Sequence, residues 1–170
     1  MEDIILMRYE QLKPIDPLTH ILNISTFQRL AKRKIKQKNK KHALIIMDLN
    51  DFKQINDNYG HPIGDAVIIE ASNRLNRVIT GKDSLSRMGG DEFVILLCDV
   101  ENEEQVRKIA RRIVASIQKP MSFDNLVINV AISVGYALYP IEGETYDLLY
   151  QVADERMYNC NHKNKNIYLV

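Results

Sequence analysis

Cysteine is scarce in this 170-residue chain, and the two present, Cys98 and Cys160, stand far apart. Two thiols without close spacing make neither a zinc knuckle nor a disulfide framework. Both read as small buried hydrophobes in a reducing compartment. Net charge is scarce too: 23 Lys and Arg stand against 22 Asp and Glu, a formal charge of +1. That gives no electrostatic case for a nucleic-acid partner. No run reaches the roughly 18 apolar residues of a membrane-spanning helix, and no apolar segment behind a basic leader marks a secretion signal. Internal repeats and low-complexity linkers are missing. The expected class is a cytoplasmic domain, or the cytoplasmic part of something longer.

What the chain does contain suits one globular domain: 45% hydrophobic and 26% charged residues over 170 positions, enough for a sizeable core. Its charge is uneven. Arg29 to Lys41 is strongly basic, which reads as a solvated helix face and its exit loop rather than a contact for an anionic partner. Met1 to Ile15 carries Ile4, Ile5, Leu6 and Leu12 and is expected to be a lead helix or linker, with the domain proper at 16–170. Pro14 and Pro17 bracket a turn at Asp16.

Periodicity supplies the elements. Asn23 or Ser25 caps a helix whose Phe27, Leu30, Ala31 and Ile35 share a face. Ala43 to Met47 is a continuous apolar run, as in a strand buried on both faces. His61-Pro62-Ile63-Gly64 opens a helix bearing Val67, Ala71, Leu75 and Val78. Ser84 to Met88 and Glu92 to Cys98 read as a hairpin closed by Gly89-Gly90. Glu103 to Gln118 is an amphipathic helix. Ile128 to Gly135 alternates as one strand. Thr145 starts a last helix, and Ile167 to Leu169 is expected to be a closing strand. The order predicts an α+β fold of the ferredoxin-like split βαβ kind, a mainly antiparallel sheet flanked by helices.

Two acidic strand ends carry the functional signal. Asp48 interrupts the first apolar strand near its end, where a carboxylate is costly to bury unless it is paired or binds a cation. Asp91 and Glu92 follow Gly89-Gly90 at the mouth of a second apolar strand. Carboxylates from neighbouring strands can share a hard divalent cation, which prefers oxygen ligands and a bound phosphate. The plainer alternatives are that Asp48 caps the segment from Asn50, that the hairpin merely has an acidic tip, and that Glu92 pairs with Arg87.

Together these residues resemble the GGDEF family, the diguanylate cyclases. The resemblance runs from about Asp16 to Asn166. It is carried by Asp16-Pro17-Leu18-Thr19, Asp48-Leu49-Asn50-Asp51-Phe52-Lys53-Gln54-Ile55-Asn56-Asp57, Tyr59 to Asp65, Gly89-Gly90-Asp91-Glu92-Phe93, Ser133-Val134-Gly135, Ala153-Asp154 and Met157-Tyr158. It implies a fold akin to the palm of nucleotide polymerases and condensation of two GTP into cyclic di-GMP across a transient antiparallel homodimer. It implies Mg²⁺ (or Mn²⁺) held by Asp48, Asp91 and the Leu49 carbonyl, with Asp91 and Glu92 as catalytic acids. By the same resemblance Asp65 and Asn56 read the guanine edge, and Lys53 and Lys165 serve the phosphates. Read alone, Asp65 would be a helix cap, Asn56 a turn residue and Lys53 a solvent-facing cation.

The chain departs from the family pattern at several places. His20 stands for a glycine, Ile24 for an arginine and Asn161 for a lysine expected near the triphosphate. The second acid of Asp-x-Asp is Asn50. The family's Arg-x-x-Asp product site reads Thr80-Gly81-Lys82-Asp83, with the arginine gone, so no ordinary product inhibition is expected. These departures support a second reading: a weakly catalytic domain that binds GTP and regulates a neighbour such as a phosphodiesterase. A missing sensor region is the other expected partner.

Overall fold

A computed structural model of the chain describes residues 14–37 and 39–164. In chain order its elements are β1 (Leu22–Asn23), α1 (Ile24–Ile35), β2 (His42–Leu49), α2 (Phe52–Tyr59), α3 (His61–Val78), β3 (Ser84–Gly89), β4 (Glu92–Cys98), α4 (Glu103–Ile117), β5 (Met121–Phe123), β6 (Leu126–Ile128), β7 (Ile132–Tyr139) and α5 (Tyr146–Asn164).

The continuous apolar character of β2 follows from its place between two cores. Ala43, Ile45, Met47 and Leu49 point to one side, against Val67, Ala71 and Leu75 of α3 and Val106, Ala110 and Ile113 of α4. Leu44 and Ile46 point to the other, against Phe27, Ala31 and Ile35 of α1 and Leu149, Ala153 and Met157 of α5. With both faces covered, no polar alternation remains to be seen. Each fully buried large side chain, such as Phe27, Phe93 or Leu44, contributes about 1.5–3 kcal/mol of transfer free energy.

The main sheet has the order β1-β3-β4-β2-β7. β2 is antiparallel to β4 and β7, and β3 is antiparallel to β4, whereas β1 joins β3 in parallel. β2 and β3 therefore run the same way with β4 inserted between them, the split βαβ arrangement expected from sequence, its crossover made by α2 and α3. β5 and β6 form a separate two-stranded sheet.

Local chemistry fixes the element ends. Asn23 Oδ1 accepts from the Thr26 amide at 2.8 Å, and Asn102 Oδ1 from the Gln105 amide at 2.9 Å. Thr145 Oγ1 accepts from the Leu148 amide at 3.3 Å at the start of α5. These are the side-chain acceptors that orphan helix amides require. α5 lies directly on β7 because Gly135 has no side chain: a Cβ there would run into the Ala153 carbonyl and the Met157 amide.

The structure differs from the sequence reading in two places. The strand expected at 128–135 is two: Ile128 closes β6, Ile132 opens β7, and the link between them turns inward so that Ala131 O accepts from the Asn50 amide at 2.9 Å. The apolar alternation in the sequence continues across the break although β7 buries its first seven residues without alternation. The periodicity assigns no element to 52–59, where the structure has α2, since its eight residues carry few apolar positions. The closing strand at 167–169 and nearly all of the lead helix lie outside the described residues. No helix among the described residues is long and apolar enough to cross a membrane. Both cysteines are buried, as expected.

Candidate active site

Strand register brings the acids together. Asp48 is paired across the ladder with Glu92 on one side and Ser133 on the other. Period-two alternation puts all three on the sheet face that packs against α1 and α5. The Ser133 hydroxyl is committed elsewhere: it donates to Asn50 Oδ1 at 2.7 Å in a buried bond. Asp91 precedes Glu92 on the turn joining β3 to β4, where Gly89 and Gly90 take φ of 149° and 53° and a bulge lies between Arg87 and Gly89. Non-glycine residues resist this turn. Its backbone is tied to the neighbouring strand end, because the Leu49 amide donates to Asp91 O at 3.2 Å.

Electrostatics mark the same cluster. Burial pushes the Asp48 carboxyl up to about 7, and the charges of Asp91 and then Glu92 add to the rise. Burial also raises Asp91, against the pull of its own backbone N–H and of Arg87. Glu92 is raised by burial, then by Asp91 and by Asp154 of α5. Directly opposed like charges in a ladder are destabilising. A half-buried group of this kind is relieved by a proton or a cation. These residues therefore fit a hard divalent cation with oxygen ligands. Among the described residues no three His, Cys, Asp or Glu side chains converge tightly enough to form a complete cage, so a cation here would take further oxygens from backbone, water or a bound phosphate.

The structure excludes several of the plainer alternatives. Asp48 caps no helix; the residue before α2 is Asp51. Glu92 does not bond Arg87, whose Nε donates to Gly90 O at 2.9 Å and whose Nη1 lies 3.5 Å from Asp16 Oδ1. That oxygen also accepts from the Thr19 amide and hydroxyl, so Arg87 links the Asp16 turn to the glycine turn. Asp65 is no N-cap, since α3 begins after Gly60, and Asn56 lies within α2 rather than in a turn.

The remaining candidates sit on the two helices beside the strand ends. Lys53 is exposed on α2, and Asp65 is exposed on the first turns of α3. Asn56 is held against α3: its Oδ1 occupies the space a Cβ at Gly64 would need. So Gly64 lets Asn56 approach the residue next to Asp65. Lys165 lies outside the described residues, as does the side chain of Asn161. Sequence reasoning missed the Asn50–Ser133 bond, the Arg87–Asp16 link, and Tyr150, whose hydroxyl is raised by burial and then by Asp154 and Glu92. Contacts between distant segments leave no spacing to read; only the i, i+4 relation of Tyr150 and Asp154 hinted that both share one helix face.

Comparison with known proteins gives the family. The sequence model of the family "Diguanylate cyclase, GGDEF domain" matches residues 14–167, and the chain belongs to that family. It is 34% identical over 129 residues to MucR of Pseudomonas aeruginosa, a bifunctional diguanylate cyclase/cyclic di-GMP phosphodiesterase, covering 76% of this chain and 19% of MucR. It is 33% identical over 147 residues to the diguanylate cyclase TpbB of the same organism, covering 84% of this chain and 34% of TpbB. The solved GGDEF domain of TpbB superposes with a TM-score of 0.85 at 30% identity, covering 88% of this chain and 90% of that one. The chain thus spans about a fifth to a third of these curated relatives' length.

Proposed function

We propose that the chain condenses two GTP into cyclic di-GMP, with loss of two pyrophosphates, two copies meeting face to face. Each 3′-hydroxyl attacks the α-phosphate of the other nucleotide, and each attack expels one pyrophosphate. The observation that carries the reading is the acid cluster of Asp48, Asp91 and Glu92, all half-buried and raised by burial first, with the charge of Asp91 adding to the rise of the other two. Asp48, Asp91 and the Leu49 carbonyl would hold Mg²⁺ or Mn²⁺, which when bound offsets phosphate charge and acidifies the attacking hydroxyl.

The chain's own groups supply the rest. Glu92 would take the hydroxyl proton, a role supported by its carboxyl being raised from the ordinary glutamate value by burial and by Asp91. Asp65 accepts from the two adjacent donors of the guanine edge and Asn56 donates to its carbonyl oxygen. By the family resemblance Lys53 and Lys165 would serve the phosphates. Purified protein incubated with Mg²⁺ and GTP should yield cyclic di-GMP by chromatography, and Asp91→Ala should abolish it. GTP binding without product would overturn the reading.

That outcome would favour the second reading, a GTP-binding domain that regulates a neighbour. It is supported by His20, held at φ 59° where the family has glycine, and by Asn161 in place of a lysine. MucR couples two activities in one chain of which the matched region is 19%. No product site of the family kind is proposed. Asp83 Oδ2 accepts from the Thr80 amide and hydroxyl at 2.9 and 2.7 Å, and its Oδ1 from the Cys98 amide at 2.9 Å. Both carboxylate oxygens are thus spent on the β3 entry turn. The domain is proposed to work in the cytoplasm.

A further inference from the structure

A second cleft, of about 400 Å³, opens between α2 and the segment that leaves β6. It contains none of the acids or nucleotide residues assigned above. Helical spacing explains why: Gln54 and Asn58 lie one turn apart on one side of α2, and Lys53 and Asn56 project from the other. Its lining is unusual in kind. Asn50, Gln54, Asn58 and Asn129 supply four carboxamides, Tyr59 a ring and Val127 an apolar lip. Tyr59 is 45% and Val127 59% exposed. Among the described residues, Asp51 is the single carboxylate lining the space and no Lys, Arg or His lines it. A phosphate would find no counter-charge here.

Asn50 gives an independent sign that something is received. It is 7% exposed, its Oδ1 is taken by the Ser133 hydroxyl, and its Nδ2 has no hydrogen-bond partner. Buried amide donors are normally satisfied. Carboxamides present a donor and an acceptor side by side, and an aromatic lip offers a stacking face. A volume of this size is within the usual range for small-ligand sites. We propose that this cleft binds an uncharged heteroaromatic ring with adjacent hydrogen-bond donors and acceptors, of the nucleobase or carboxamide class. An occupant bears directly on the two-turn helix that carries Lys53 and Asn56. The proposal stands whether or not the acidic site turns over GTP.

The test is a titration of the ¹⁵N-labelled protein with adenine, nicotinamide, AMP and inorganic phosphate, each alone, reading side-chain NH₂ signals. Adenine or nicotinamide should shift those of Gln54, Asn58 and Asn129 saturably, with a midpoint of about 1 mM or below. Val127→Trp, which plugs the mouth from an exposed position, should weaken the binding at least about tenfold, roughly 1.4 kcal/mol. Gln54→Leu, on the exposed helix surface, is the second variant should the first not fold. Four results would overturn the proposal: no shift by either ring, equal shifts by inorganic phosphate, shifts at Asn56 in place of these three, or binding indifferent to both variants.

Discussion

Replacing Asp48 by asparagine should make the metal-free protein more stable at alkaline pH. The carboxyl of Asp48 rises from 3.8 to about 7, through burial first and then Asp91 and Glu92. Between those values the folded protein holds a proton that the unfolded chain releases, so wild-type stability falls as pH climbs through that window. Carried over whole, the rise would be worth roughly 4 kcal/mol. Asp48 is only half-buried, and solvent screening reduces this to about 1–2 kcal/mol. Urea unfolding in EDTA at pH 8 should therefore show Asp48→Asn more stable by that amount, with Tm higher by roughly 3–6 °C. The gain should shrink towards zero near pH 4, where the wild-type carboxyl is protonated. Excess Mg²⁺ should reverse the order, because a cation bound only by the folded wild type adds about 2.7 kcal/mol at a hundredfold excess over Kd. A difference that does not change with pH, or a variant less stable than wild type at pH 8 in EDTA, would refute the reasoning.

Four further outcomes are expected. His20→Gly should stabilise by about 1 kcal/mol in urea unfolding, since His20 is held at φ 59°, where a side chain costs roughly 1–2 kcal/mol. Gly135→Ala should destabilise by about 3 kcal/mol or leave no folded protein in the same assay, because the new Cβ meets backbone of α5 rather than a movable side chain. Arg87→Ala should cost about 1–2 kcal/mol and lower cyclic di-GMP output, while Arg87→Lys restores stability only in part; unchanged turnover would show that the Gly90 tie does not position Asp91. Titrating cyclic di-GMP against the protein by calorimetry should give no tight binding at Asp83; a sub-micromolar isotherm that Asp83→Ala removes would contradict this.

How much could be read in advance depended on the range of the interaction. β2, β3, β4 and the helices of 18 and 15 residues, α3 and α4, announce themselves by runs and periods that a chain segment carries within itself. The Asn23 cap was legible for the same reason: donor and acceptor are three residues apart. α2 was missed because only Ile55 of its eight residues is buried. The break between β6 and β7 was missed because the residue that demands it, Asn50, lies more than 80 positions away. In the site, the types and order of Asp48, Asp91 and Glu92 were visible, but the common face of Asp48, Glu92 and Ser133 depends on register across three strands, which a single strand does not encode. Glu92 with Arg87 was the natural sequence pairing; the turn geometry sends the guanidinium to Gly90 and Asp16 instead.

The cluster also bears on the choice between the two proposed roles. In the proposed reading, recognition of a guanine nucleotide draws an acceptor pair, a donor and a cation for phosphate from Asp65, Asn56 and Lys53 on α2 and α3. None of these draws on the sheet. Asp48, Asp91 and Glu92 add nothing to base recognition, and they lower stability when no cation is present. Ser133 sharpens the point. It stands opposite Asp48 and would relieve it by donating its hydroxyl, yet that hydrogen goes to Asn50 at 2.7 Å. The carboxylate is left open to a cation and the nucleotide's reacting end. Removing Asn50 should therefore free the Ser133 hydroxyl for Asp48. Asn50→Ala is expected to lower the Asp48 carboxyl towards ordinary values, followed by ¹³C carboxyl titration, and to weaken Mn²⁺ binding as the new hydrogen bond competes with the cation. A titration curve identical to wild type would show that Ser133 holds its orientation without Asn50, and that the open carboxylate has another cause.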